Sequence, residues 1–591
     1  MTLFVERRRP TLTPDLLLRV GLAWAMVSAL MLVTNLGAIL NYRFPDPDDM
    51  LRLVQVRDLI AGQGWFDVTQ HRAGETAMHW SRLVDLPIAG VILALRGFIG
   101  TPASEMAALI AVPLLTLLVC LFLVGRIAWR LLGDEMAFFA SLTFAFSVPV
   151  LEQLRPMRID HHGWQIALVL LALNGLMARS PRVGGWIVGG ALATALSISI
   201  EQAPMMAVFM AILAWRWIVN PTDRHWLVGA VQSLAIVSTL LFATTRGFGG
   251  ALQVCDAIAP VHVAAFWWVA AALTALSTLE HRPRFFVVGG MALAGTGALA
   301  IVWQMAPACT QGTFVAIDPL ARTLWLERIS EGLPIWRQSA PVVLQIVLPP
   351  VIALFATLKL AGRSSGWLRR WWIEYAALLA AAFAISLMVA RAGAVAGALA
   401  TLPLGWQLRE WLRAVRHREH PMKRALVYGG ISLALVPAAP ALLLVSSVPS
   451  QAQYEAKVAA HPRRGTCEIA TLPRTLAALP AGNVLAPLDQ SSLVLRDTAH
   501  SVVATGHHRA PHMAGVIRAF VSDDATARAI VEENAVDYVA MCPTTAEPLN
   551  YASGRPDSLA ARLVSNRAPD WLVPVASRGD GWLVWQVRHP R

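Results

Sequence analysis

Three carboxylates fall within four residues of RFPDPDDMLRLVQVRDLIAGQGWFD, at Asp46, Asp48 and Asp49. Like charges this close repel one another. They become favourable together when a divalent cation such as Mg²⁺ or Mn²⁺ binds, because hard cations take oxygen ligands. The plainer reading is a solvated helix start capped by Asp46. A second group, RIDHHGW, sets Asp160, His161 and His162 side by side, a triplet that either ligates metal or opens a helix. A third, LERISEGLPIW, carries Glu331 close to Glu327 and Arg328; the alternative there is an amphipathic interfacial helix. Arg391, in LMVARAGAVAG, has the charge to meet a lipid phosphate or to anchor a helix by snorkelling. Glu201, in SISIEQAP, lies between two apolar runs, and an ionisable group embedded in a membrane reads as functional. In ATGHHRAPH, His507, His508, Arg509 and His512 crowd together without a structural-zinc spacing, so a polar loop facing the rest of the chain is the simpler account.

The elements that must position these groups are apolar. Of 591 residues, 56% are hydrophobic and 15% charged, against about a quarter charged in soluble proteins. The charges cluster between long continuous runs, the pattern of a multi-pass α-helical membrane protein and not of a dyad-alternating barrel. Runs at 16–40, 104–125, 136–154, 163–178, 184–200, 203–218, 226–244, 263–280, 285–305, 341–362, 373–390, 395–408 and 425–447 give about thirteen crossings. The first is too long for a signal-peptide core and reads as a retained span.

Arg7, Arg8 and Arg9 place the N-terminus in the cytoplasm. Every second loop is basic, with Arg126 and Arg130, Arg179 and Arg182, Arg216 and Arg224, Arg282 and Arg284, Arg363, Arg369 and Arg370, then the run 409–424. The alternation predicts an odd number of crossings and a periplasmic C-terminus, in a bacterial inner membrane. It also accounts for the formal charge of +12, so no nucleic-acid partner is implied. The transmembrane unit is thus 1–447, with outside loops at 41–103, 245–262 and 306–340. The first loop holds a helix at 48–62 and an apolar stretch, 86–99, that is short for a span.

Residues 448–591 have the composition of a soluble domain. NVLAPLDQSSLVL and DYVAMCP read as strands, DDATARAIVEENA as an aspartate-capped helix, and WLVPVASRGDGWLVWQVR as a hairpin around Gly579-Asp580-Gly581, together a small α/β domain. Of five cysteines, Cys120 lies in a span. An oxidising compartment permits the pairs Cys255–Cys309 and Cys467–Cys542, with the pairing left open by sequence.

Taken together, these pieces resemble the catalytic subunit of oligosaccharyltransferases and the wider GT-C class of lipid-linked-sugar glycosyltransferases. Asp46-Pro47 through Arg52 resembles the family's D-P-x-x-x-x-R motif, Asp160-His161-His162 its D-N-E or D-H-H motif, and Ser330-Glu331 with Pro334 its S-V-S-E segment. The resemblance implies a donor sugar on a polyprenyl phosphate or diphosphate and a divalent cation held by Asp46, Asp160, His162 and Glu331. It also implies a carrier phosphate on Arg391, and catalysis by Asp46, Asp160 and Glu331 with inversion at the anomeric carbon. A metal-free variant leaves His161 and His162 structural or acceptor-binding. Asp48, Asp49, Arg52, His161, Glu201, His508 and Arg509 are further candidate substrate contacts. The family's W-W-D-Y-G acceptor motif is absent, and Trp371-Trp372 falls in a cytoplasmic loop. The acceptor class, whether lipid, glycan or protein, therefore stays open. Two other classes compete: a lipid-linked glycan transporter, disfavoured by acidic groups at one face, and a non-enzymatic assembly scaffold. An O-antigen-type ligase is disfavoured by the acidic first loop.

Overall fold

The computed structural model describes residues 12–247, 254–279, 283–312, 314, 317–416, 420–437, 467 and 473–589. Each apolar run expected to span contains a helix among the described residues. Among the described residues, eight helices are long and apolar enough to cross a membrane, including Pro14–Thr34, Thr101–Leu132, Arg284–Met305 and Ala340–Gly362. They place the chain in a membrane.

Other runs depart from the expected span length. The run 136–154 is a ten-residue helix, Met136–Ala145, followed by the short turn Val148–Leu151. Pro149 explains the break: lacking an N–H, proline fits the first turn of a new helix and not the interior of an old one. The run 163–178 is a helix of 14 residues, His162–Gly175. The run 425–447 is helical over Pro421–Leu435, and its end, 438–447, lies outside the described residues. So do Arg7, Arg8, Arg9, Arg282, the boundary at 447/448 and part of the loop 245–262.

The first outside loop is largely helical. Pro47–Ile60 starts on Asp46, whose side chain accepts the Asp48 N–H at 2.9 Å. Arg82–Ile99 covers the short apolar stretch and stops at Gly100, which has φ +79°. Between them Thr69–Gln70 and Thr76–Ala77 pair as an antiparallel hairpin. The loop 306–340 contains no interfacial helix around Glu331. Its described residues form the helix Pro319–Leu324 and four 3₁₀ segments, Pro307–Gln311, Leu326–Arg328, Ser330–Gly332 and Ile335–Arg337.

The C-terminal unit is a five-stranded mixed sheet flanked by helices. Its strand order is Ser501–Val502, Asn483–Leu485, Tyr538–Met541, Leu583–Val587, Leu572–Pro574. The first three strands run parallel and the last two pair antiparallel as the expected hairpin. The expected strand over NVLAPLDQSSLVL is corrected: only Asn483–Leu485 is strand, and Leu488–Asp497 is a helix with a 3.6-residue apolar face. Asp523 caps Asp524–Glu533 as expected, accepting from the Thr526 N–H. Both disulfides form, Cys255–Cys309 and Cys467–Cys542, and Cys120 is free and buried.

In lipid, helices associate through close packing and not through water exclusion. Pro181–Ile198 and Arg224–Thr245 show how near that packing can be. A Cβ at Gly184 would lie 2.0 Å from the Trp226 ring, one at Gly185 2.4 Å from the Trp226 carbonyl and one at Gly189 2.0 Å from the Ala230 carbonyl. We expect Gly189→Leu to force the pair apart, destabilising the fold by about 1–3 kcal/mol, whereas Gly289→Leu, with nothing within 4 Å of its added Cβ, should leave the melting temperature in detergent unchanged.

Candidate active site

The acidic residues singled out from sequence meet at one face of the helix bundle. The junction between them is Arg158, which lies 3.4 Å from Asp46, 3.3 Å from Asp49 and 3.5 Å from Glu331. Asp49 has no exposed surface and accepts the backbone N–H groups of Ile159 and Asp160 at 2.8 and 2.9 Å. The loop carrying the Asp-His-His triplet is thus sewn to the start of Pro47–Ile60.

A second arginine supports the triplet from beneath. Arg52 is fully buried, 3.0 Å from Asp85 and 3.1 Å from Asp160, with its guanidinium 4.5 Å above the Trp80 ring. Gln55 donates to the other Asp85 oxygen at 2.7 Å. Arg52 therefore orients Asp160 and has no open path to a substrate, and Asp49 is buried in the same way. His161 Nδ1 lies 2.7 Å from Asp160 Oδ1, and His162 Nε2 lies 3.4 Å from Asp160 Oδ2 and 3.9 Å from Glu331.

Exposure separates two layers. The side chains of Arg52, Asp85 and Asp49 are 0% exposed and that of Asp160 is 1% exposed, whereas Asp46 retains 28%, Glu331 30%, Glu201 34% and Arg391 23%. Arg391 bridges Glu201, in a short ion pair, and Glu331 at 3.5 Å. Charged groups that line an accessible surface thus rest on buried ones that fix them.

The electrostatics follow from this crowding. Burial, then Asp46, Asp160 and Glu331, push the Asp48 carboxyl well above the usual range. Burial also raises Asp49, to about 7, against the pull of Arg158. Burial works against the Asp160 carboxylate too, but His161, His162 and Arg52 hold it well below the usual range. Glu331 is likewise lowered, its burial outweighed by His162, Arg158 and Arg391.

His508 and Arg509 do not join this group. They pair with Asp256, beside the Cys255–Cys309 disulfide. Three contributors were missed from sequence. Arg158 stands two residues before Asp160, and its proximity to that triplet was a usable signal. Asp85 lies in an apolar stretch with nothing to mark it. Asp489, at the start of Leu488–Asp497 in the C-terminal unit, hydrogen-bonds Trp325 and is pushed up to about 6 by burial and by Asp46. It brings the C-terminal unit to the acidic site, and the strand assignment over 483–495 hid it.

No protein-family model matches the chain, and no curated protein matches its sequence. The fold is nonetheless similar to that of solved archaeal oligosaccharyltransferase structures. The archaeal oligosaccharyltransferase AglB from Archaeoglobus fulgidus, solved with an inhibitory peptide and a dolichol-phosphate, superposes with a TM-score of 0.63 at 12% identity, covering 94% of this chain and 72% of that one. The apo form of the A. fulgidus oligosaccharyltransferase gives 0.63 at 14% identity, covering 94% and 73%. Its complex with Zn and sulfate gives 0.57 at 12% identity, covering 93% and 71%.

The buried layer is open to direct test. Removing one partner of a buried ion pair leaves an uncompensated charge, at a cost of about 3–5 kcal/mol. Asp85→Ala should therefore lower stability by that amount in chemical or thermal unfolding, while Glu410→Ala, which removes the exposed partner of Arg363, should change it by less than about 1 kcal/mol.

Proposed function

We propose that the protein is a membrane glycosyltransferase of the GT-C type. In this reading it moves a sugar or oligosaccharide from a polyprenyl-phosphate or polyprenyl-diphosphate carrier to an acceptor at the periplasmic face of a bacterial inner membrane. The observation that carries the reading is the layered site, with Asp46, Glu331 and Arg391 accessible above Asp49, Arg52, Asp85 and Asp160. Glu331 stands 3.5 Å from Arg391 and shares Arg158 with Asp46, so one site holds a carboxylate for a nucleophile and a guanidinium for a phosphate. The A. fulgidus protein of the same fold was solved with a dolichol-phosphate and a peptide, which favours the same two partner types here.

The donor set fits a divalent cation. Asp160, His161 and His162 offer ligand atoms within 4.8 Å of one another, and the buried His161 Nε2 has no hydrogen-bond partner. Asp46 and Glu331 complete the set from the accessible layer. A bound Mg²⁺ or Mn²⁺ would supply Lewis-acid stabilisation of the leaving phosphate.

The chain's own groups do the rest. Arg391 holds the carrier phosphate by charge-assisted hydrogen bonds, and Glu201 and Glu331 keep its guanidinium in place. Asp46 accepts the proton of the acceptor hydroxyl or amine as that group attacks the anomeric carbon. The bond from that carbon to the phosphate oxygen breaks, the electron pair leaves with the phosphate, and the configuration inverts. Arg158 holds Asp46 and Glu331 at a fixed separation. Asp489 brings the C-terminal unit close to Asp46 at this site.

Asp46→Asn should reduce transfer by about 100-fold or more while leaving expression and melting temperature intact. Mass spectrometry of surface glycans and lipid-linked intermediates in a complemented deletion strain reads the result. A glycan unchanged in the Asp46→Asn strain overturns the enzyme reading in favour of a scaffold. Dialysis of the purified protein against a chelator should abolish transfer, with recovery on adding Mn²⁺ or Mg²⁺; full activity after chelation removes the cation from the mechanism and leaves the carboxylate and arginine in place.

A further inference from the structure

A second polar cluster sits at the seam between the first outside loop and the C-terminal unit. His79 follows the hairpin Thr69–Gln70/Thr76–Ala77 by two residues, and His507 and His508 follow the strand Ser501–Val502. His79 Nδ1 lies 2.9 Å from His507 Nε2. The rings of His79 and His508 are 4.7 Å apart between centroids, as are those of His507 and His508. One ligand nitrogen from each of the three rings lies within 4.8 Å of the other two. We infer that His79, His507 and His508 form a second metal site, of the Zn²⁺ class, that clasps the C-terminal unit onto the first outside loop.

Four observations point to a metal and not to packing alone. First, the donors are imidazoles only, which suit Zn²⁺ and its neighbours and not Mg²⁺ or Ca²⁺. Second, zinc ligands lie about 2.0–2.1 Å from the ion, so tetrahedral nitrogens stand about 3.3 Å from one another. The His79 and His507 nitrogens stand 2.9 Å apart and all three ligand nitrogens lie within 4.8 Å of one another, a spread that admits that separation. Third, His508 Nε2 lies 2.6 Å from Asp256 Oδ2. A carboxylate behind one ring nitrogen fixes the tautomer and leaves the other, here Nδ1, free as ligand, the usual outer arrangement of a metal-bound histidine. Fourth, Asp256 also takes both nitrogens of the Arg509 fork, so that guanidinium is neutralised, while the Arg246 guanidinium is engaged by the His79 backbone carbonyl.

The direct His79–His507 contact needs one proton between two nitrogens. A metal takes the place of that proton, and the 3.3 Å bond from the Arg509 N–H to His507 Nδ1 gives way as the ring changes tautomer. Trp80, edge-on to His507 at 5.7 Å, and Phe314, edge-on to His508 at 5.0 Å, form apolar walls. His507 is 3% exposed, while His79 and His508 are half-buried, which leaves a fourth position for water.

The location gives the site its purpose. Next to it, the Arg72 guanidinium donates to the carbonyls of Leu495, Thr498 and His500, and the Arg72 carbonyl accepts from Val502. A Cβ on Gly74 would sit 2.3 Å from the Val503 carbonyl. The metal would close this seam at its far end.

The test uses the full chain in detergent, stripped with chelator and titrated with Co²⁺. Four-coordinate cobalt on nitrogen ligands gives intense visible bands that six-coordinate oxygen sites lack. Titration in a His161→Ala/His162→Ala background removes both nitrogen donors of the acidic site, so intense nitrogen-ligand bands there report on the histidine trio and the readout stands apart from the proposed enzyme function. One equivalent with intense bands is expected, with loss of the bands in His79→Gln and His507→Gln. Asp256→Asn should weaken binding about 10–100-fold. If a histidine variant fails to fold, the parent titration alone decides. No intense band there, or bands unchanged in the folded histidine variants, overturns the site and leaves a hydrogen-bonded histidine trio.

Discussion

A charge taken out of water must find its opposite, and that demand organises this protein. Arg52 can be fully buried only because Asp85 and Asp160 flank it and Trp80 presents its face. Asp49 can be buried only because two backbone N–H groups and Arg158 meet it. Each pairing joins segments far apart in sequence: residue 52 to 160, 49 to 159, and 158 to 331. The ion pairs are consequently tertiary constraints as much as electrostatic ones. Since a buried pair gains little net stability over a well-packed apolar one, the retention of so many here argues for geometry, with Asp160 and Asp46 held in one orientation each.

The first outside loop is the hub of the arrangement. Phe44, Met50, Leu53 and Trp80 from that loop share one apolar core with Val484, Leu493, Tyr538 and Trp582 of the C-terminal unit. Arg57 adds a bond to the Arg496 carbonyl and an ion pair to Glu105, and the Arg496 guanidinium lies 4.8 Å over the Tyr42 ring. The helix Pro47–Ile60 therefore has one end in the acidic site and one side against the sheet unit. Movement of the C-terminal unit would be felt at Asp46, and Asp489 lies at that same contact.

Much of this was legible in the residues. Helices follow from continuous apolar runs, because lipid leaves the backbone no other partner than itself. Asp46, Asp160 and Glu331 stood out because short polar motifs interrupt an apolar chain, and the structure brings them around Arg158. What escaped was what a one-dimensional reading cannot weigh. Nothing in the sequence marks Asp85, since its partner Arg52 is 33 residues away. Pro149 breaks a run that composition alone makes continuous. Over NVLAPLDQSSLVL the strand propensity of the first residues masked a helical period in the rest, and with it Asp489. His507 and His508 looked incomplete because their third partner, His79, is 428 residues distant.

The two polar clusters differ in a way that bears on their roles. Around Asp160 the donors are mostly carboxylate oxygens, several of them accessible, with a guanidinium alongside. Oxygen ligands bind hard cations with modest affinity and exchange them, which suits the proposed site, where an anionic carrier would also enter and leave. Around His79 the donors are nitrogens, set at a seam already closed by Arg72 and Gly74, with their outer partner on a disulfide-anchored segment. Nitrogen ligands on rigid supports hold borderline cations tightly and give no reason to exchange. Donor chemistry and rigidity thus favour turnover for the first cluster and architecture for the second, in the roles proposed for them, although residues 41–103 contribute to both, Asp46 to one and His79 to the other.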